Sequence, residues 1–110
     1  MAIDVTKENY AAAVEGSRSK PVIMDFWGPK CSHCLALMPS VEALEDKYAG
    51  KFTLCKVNVA APGNRRVAMA CKVMSLPSIL FFNDGEEVCR LIADKASAES
   101  VESTLKSLIG

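Results

Sequence analysis

The 110-residue sequence predicts an α/β fold, and two observations carry that prediction. Strand-like and helix-like segments of ordinary length alternate along the chain, with no repeat, low-complexity tract or linker between them. The run PVIMDF, residues 21–26, is apolar almost throughout, as a strand covered on both faces must be. A chain of this length fits one domain, residues 1–110, with a real core and no room for a second.

The elements follow in order. AIDV (2–5) is a short strand, and Thr6 then caps a helix over KENYAAAVEG that closes at Gly16. PVIMDF is the second strand. From about Cys34 to Tyr48, Leu37, Val41, Leu44 and Tyr48 recur at helical spacing, and Gly50 supplies the stop. KFTLCKVNV (51–59) is a third strand. After the turn PGN, the spacing of Val67, Cys71 and Met74 gives a short helix over residues 65–74. PSILFF (77–82), the turn NDG and EEVCRLIA (86–93) form a hairpin. A last helix, Ala98 to Ile109, carries Val101, Leu105 and Leu108 on one stripe, with Ser97 as its cap.

Charge and composition exclude several functions. Thirteen basic residues balance thirteen acidic ones, so bulk electrostatics draw the chain to neither nucleic acid nor an anionic membrane. The N-terminal stretch lacks a basic region followed by an apolar one, and no apolar run approaches the ~18 residues of a membrane span. A cytoplasmic location is expected. Five cysteines, an odd number without a secretory signal, argue against a disulfide-stapled secreted scaffold.

The chemistry concentrates in WGPKCSHC, residues 27–34, where Cys31 and Cys34 lie at a strand-to-helix junction. A zinc site takes four ligands, and the other thiols, Cys55, Cys71 and Cys89, stand singly in separate segments. Haem attachment needs a histidine directly after the second cysteine, where this chain has Leu35. A structural disulfide closing so short a ring would restrict little unfolded-chain entropy, whereas short exposed links exchange readily. Redox exchange is the reading that remains, with no metal and no cofactor. The positive end of the helix favours a Cys31 thiolate as nucleophile, and Cys34, one turn deeper, resolves the mixed disulfide.

Asp25 and Lys56 each interrupt an apolar run in a strand expected to be buried. A buried charge needs a partner, and desolvation would raise the Asp25 pKa so that it can take the Cys34 proton. Cys55 and Cys89 read as small core hydrophobes, and Cys71 is a candidate for regulatory oxidation.

The stretches VIMDFWGPKCSHCLALMPSVEALEDKYAG, LCKVNV and MSLPSILFFNDGE resemble the thioredoxin family along nearly the whole chain. The resemblance implies a thioredoxin fold, a central mixed β-sheet flanked by helices. It implies a monomer that reduces disulfide-containing protein substrates and is itself reduced by a thioredoxin-reductase-type electron donor. Residue by residue, it makes Cys31 and Cys34 the redox pair, with Trp27 beside it and Asp25 beneath it. Lys56 matches the buried partner of that aspartate, Pro39 the proline inside the active-site helix, and Pro77 the family's cis-proline. Leu76 would then offer its backbone to an extended peptide as an added strand.

Departures from the family pattern fall at the same site. Ser32 and His33 replace the usual Gly-Pro, Lys30 replaces an aromatic residue, Ala93 replaces a groove glycine, and Ala60 replaces an aspartate. A histidine at the second enclosed position is similar to disulfide isomerases and thiol oxidases. Stabilising the thiolate by one pKa unit, ~1.4 kcal/mol, would raise the potential by at most about 30 mV. Two alternatives therefore stand beside a reductase: a more oxidising oxidase or isomerase, and a peptide-binding module without turnover.

Overall fold

The computed structural model describes residues 2–110. Its elements run β1 (Ile3–Asp4), α1 (Tyr10–Glu15), β2 (Val22–Trp27), α2 (Ser32–Lys47), β3 (Thr53–Asn58), α3 (Asn64–Ala70), β4 (Ser78–Asn83), β5 (Glu86–Ile92) and α4 (Ala98–Ile109). Single turns of 3₁₀ helix at Gly16–Arg18 and Ala93–Lys95 follow α1 and β5. The five strands form one mixed sheet in the order β1-β3-β2-β4-β5. β3 runs parallel to β1 and β2, whereas β4 is antiparallel to both β2 and β5.

Strand alternation divides the core into two layers. Val22, Met24 and Phe26 of β2 pack with Cys55, Val57, Leu80 and Phe82 and are covered by Val67 and Ala68 of α3. On the opposite face Ile23, Leu54, Ile79 and Phe81 lie under Leu37, Val41 and Leu44 of α2 and under Val101 and Leu105 of α4. Each such fully buried side chain contributes roughly 1.5–3 kcal/mol, so helices on both faces explain why PVIMDF reads as a continuous apolar run. Asp25 continues the row of Ile23 and therefore lies on the face that α2 covers.

The ends of several elements differ from expectation, each for a local reason. α1 starts at Tyr10, because Asn9 Oδ1 accepts from the Thr6 amide at 2.7 Å and Thr6 Oγ1 accepts from the Glu8 amide at 3.2 Å. Those side chains close a turn in place of the first helical turn. α2 starts at Ser32, earlier than apolar spacing suggests, because a sulfur caps its first turn. It continues through Pro39, whose missing N–H leaves the Leu35 carbonyl without its usual helical donor. α3 ends at Ala70, short of Met74. Lys72 enters the left-handed region at φ 57°, and the Lys72 and Val73 amides turn back to the Met69 and Ala68 carbonyls. Arg90 of β5 then donates to the Cys71 carbonyl at 2.8 Å, fastening that end to the sheet. Ser97 caps α4 as expected, in a reciprocal box with Ser100. Among the described residues no helix is long and apolar enough to cross a membrane.

Candidate active site

β2 ends at Trp27, and the turn through Gly28, Pro29 and Lys30 delivers Cys31 to the start of α2. Cys31 is the N-cap, in extended backbone geometry, and its Sγ accepts the amide of Cys34 at 3.2 Å. This is the bond that serine or aspartate makes at other helix starts, so a sulfur anion at this position would meet a free N–H and the helix dipole together. Cys31 and Cys34 are joined as a disulfide with Cα atoms 5.2 Å apart. The two sulfurs are not equivalent: Cys34 is 2% exposed, whereas Cys31 is half-buried at the surface.

Cys31 borders an apolar groove of about 470 Å³ lined by Gly28, Pro29, Lys30, Val59, Ala60 and Leu76. A Cβ on Gly28 would stand 3.3 Å from Leu76 Cδ1, so glycine lets the two walls approach. The Leu76–Pro77 bond is cis, and the Pro77 carbonyl accepts the Ala93 amide at 2.8 Å. Ala93 itself adopts φ 53°, the left-handed region that a glycine would occupy without cost. It therefore braces the Pro77 segment from behind and is not among the residues that line the groove.

Trp27 is half-buried and lines a smaller cavity of about 260 Å³ with Lys56, Asn58 and Asn64, separate from the groove at Cys31. Lys30 is exposed at the groove rim. His33, also exposed, donates from Nε2 to the Ala96 carbonyl at 3.0 Å, so it ties the first turn of α2 to the segment before α4. Nothing in residue type or spacing signals that partner.

Asp25 is 2% exposed and pairs in register with Lys56 across the parallel β2–β3 ladder. Burial pushes its carboxyl up to about 7, against the pull of the Lys56 ammonium and with a push from Glu42. Lys56 stands beside Asp25 and acts on it electrostatically, but its ammonium makes its ion pair with another residue. Lys56 Nζ bonds Glu42 Oε2 at 2.7 Å and lies 3.9 Å from Met38 Sδ. The flexible lysine stem reaches α2, where a half-exposed carboxylate keeps much of its hydration, and this favours Glu42 over a carboxyl enclosed in the core. Glu42 and Met38 escaped sequence reading, although their i, i+4, i+8 spacing from Cys34 on α2 places them on its inner side. Val59 also escaped as a groove wall, because loop residues carry no periodicity, whereas Ala60, a departure from the family pattern, does line the groove.

The remaining thiols are dispersed. Cys55 is buried and its pKa is pushed up to about 11 by desolvation. Cys71 is buried, with its sulfur 3.1 Å from the Tyr10 hydroxyl, and Cys89 is half-buried on β5. Among the described residues no three His, Cys, Asp or Glu side chains are grouped to hold a metal ion.

A mixed sheet with helices on both faces, carrying a cysteine pair at a helix start with one sulfur at a groove and the other enclosed, defines a protein of thiol–disulfide exchange. The family model for thioredoxin matches residues 1–107. The thioredoxin of Peptoclostridium acidaminophilum is 31% identical over 108 residues, covering 98% of this chain and 96% of that one. That of Acetoanaerobium sticklandii is 34% identical over 88 residues, covering 80% and 82%. In fold, the chain is similar to oxidized thioredoxin O2 from Arabidopsis thaliana, with a TM-score of 0.87 at 19% identity over 99% of this chain and 95% of that one. The chain belongs to the thioredoxin family and is a thiol–disulfide oxidoreductase. These relatives favour neither a binding module without turnover nor an oxidase or isomerase.

Proposed function

We propose that Cys31 is the nucleophile, Cys34 the resolving thiol and Asp25 the group that receives the Cys34 proton. The observation that carries this reading is the asymmetry of the pair: a groove-facing sulfur that caps α2, and a partner 2% exposed one turn deeper. The Cys31 thiolate attacks one sulfur of a substrate disulfide, forms a mixed disulfide and expels the other substrate sulfur as a thiolate. Cys34 gives up its proton to Asp25 and attacks the Cys31 sulfur. The Cys31–Cys34 bond forms, the second substrate thiolate leaves, and two electrons have passed to the substrate.

A carboxyl that titrates near neutrality is suited to that exchange, since it is a base for half the cycle and an acid for the return. The apolar groove admits an extended strand of a protein substrate, with the Leu76 backbone beside it. Lys30 flanks the approach, Trp27 closes β2 just before the turn that carries Cys31, Pro77 and Ala93 hold the Leu76 segment, and His33 braces the first turn of α2. A thioredoxin-reductase-type donor returns the pair to the dithiol, and the cytoplasm is the compartment where that cycle runs.

The test is reduction of insulin with a thioredoxin reductase and NADPH as the electron supply. Turnover that depends on both cysteines is expected. Equal turnover in the Cys31→Ser variant would sink the assignment.

A further inference from the structure

Two facts about Lys56 do not fit a simple ion pair with Asp25. The residues are register partners whose side chains share the sheet face beneath α2. Even so, among the described residues the ammonium makes its ion pair with Glu42 of α2, two turns beyond Cys34. That pair is partly open to solvent, with the lysine side chain 18% and the glutamate side chain 42% exposed. Partly exposed pairs of this kind contribute little to stability, so stability alone gives little reason for it.

We propose that Glu42 is a positioning residue: by anchoring the Lys56 ammonium along α2 it withholds that cation from Asp25, and so leaves the Asp25 carboxyl able to hold a proton. The inference deepens, and rests on, the reading of Asp25 as proton acceptor for Cys34. Among the described residues, two charged groups act on Asp25. Lys56 faces it from β3 and Glu42 from α2, while Asp4 of β1 acts on Lys56 from the far side. Cys34 is the titratable thiol that α2 contributes once the disulfide is reduced.

The direction follows from charge alone. Removing the Glu42 carboxylate takes an anion away from Asp25 and frees a flexible cation to turn toward it. Both changes favour the Asp25 carboxylate. An ammonium at ion-pair distance lowers a carboxyl pKa by about one to three units, whereas Asp25 now sits raised to about 7. A freed Lys56 would thus leave Asp25 a weak base that stays ionised at neutral pH. The gap between Asp25 and the Cys34 thiol would widen, and proton transfer in the resolving step would slow.

The experiment follows the Asp25 carboxyl directly, by NMR titration of carboxyl-labelled aspartate in the oxidised protein. The proteins are wild type, Glu42→Gln, Lys56→Gln and the double variant. Glu42→Gln is expected to lower the Asp25 midpoint by about one unit or more, and Lys56→Gln to raise it. In the double variant most of the Glu42→Gln shift should vanish, because there is no cation left to release; that non-additivity separates positioning from a plain charge effect. An unchanged or raised midpoint in Glu42→Gln overturns the proposal, as does a shift that survives undiminished in the Lys56→Gln background. Rapid-mixing kinetics of the resolving step at several pH values should show the Glu42→Gln profile displaced to lower pH. Asp25→Asn is measured alongside. If it leaves the resolving step at its wild-type rate, the proton-acceptor reading falls, while the NMR titration still decides whether Glu42 holds Lys56 off Asp25.

Discussion

The amide of Cys34 donates to the sulfur of Cys31 at 3.2 Å, so one member of the redox pair is also the cap of the helix that carries the other. Fold and chemistry share that bond. Serine makes the same cap with oxygen, so Cys31→Ser should leave α2 intact while removing the nucleophile. Insulin reduction is expected to fall on the order of 10³-fold or more. Cys34→Ser keeps the attacking sulfur and should accumulate substrate linked to Cys31, visible as a mass increase lost on adding dithiothreitol. Trapping by Cys31→Ser through its remaining Cys34 sulfur, with none by Cys34→Ser, would instead reverse the two roles.

Asp25 makes stability depend on pH in a defined direction. Burial lifts its carboxyl from 3.8 to about 7 in the folded chain. Between those values the folded state keeps a proton that the unfolded chain has released. Stability is therefore highest below about pH 4 for this group, and is lost as pH rises toward 7. The full loss is about 4 kcal/mol. Asp25→Asn removes the dependence. Urea unfolding should show the variant gaining on the wild type from pH 4.5 to pH 8, and a gap that stays constant with pH would rule out the buried carboxyl as its origin.

How much of the molecule is legible in its sequence depends on which signals are periodic. The strand around Asp25 and the stripes of α2 and α4 are readable, because apolar spacing reports the core directly. Cys31 and Cys34 stand out by spacing, and Asp25 and Lys56 by being charges inside apolar runs. The partner of Lys56 is not readable, since a lysine reaches several positions and only the packing of α2 on β3 selects Glu42. The link from His33 to Ala96 spans 63 positions and joins a side chain to a backbone carbonyl, which leaves no trace in residue types. Likewise the early end of α3 depends on Lys72 taking a left-handed turn where glycine is the usual signal.

His33 combines a hydrogen bond with an imidazole ring inside the Cys31–Cys34 motif, and substitution can separate the two. Its Nε2 hydrogen bond to Ala96 links α2 to the segment before α4, and losing one such bond costs about 1 kcal/mol. His33→Ala should lower stability by about that amount. His33→Gln offers an amide N–H to the same carbonyl without the imidazole ring, so it should keep most of the stability. Any change in potential then belongs to the imidazole itself. The glutathione equilibrium of His33→Gln is expected to shift toward a more reducing pair, by at most about 30 mV. An equal loss of stability in both variants would mean that the bond to Ala96 is not the source.

Ala93 offers the opposite experiment, in which one atom too many is removed. Its φ of 53° places Cβ against its own backbone, at a cost of roughly 1–2 kcal/mol for a residue other than glycine. The conformation persists because its amide donates to the Pro77 carbonyl at 2.8 Å and its carbonyl accepts the Ala96 amide at 3.0 Å. Ala93→Gly releases the steric cost and adds about 0.4–1 kcal/mol of unfolded-chain freedom. The net expectation is a stability gain of about 0.5–1 kcal/mol, seen as a higher urea midpoint with an unchanged slope. Ala93→Val, whose branched Cβ tolerates this backbone least, should destabilise by more than that gain. Because glycine keeps both hydrogen bonds, the Pro77 segment stays in place and KM for insulin should not move. A glycine variant no more stable than the wild type would show that Ala93 bears no such strain.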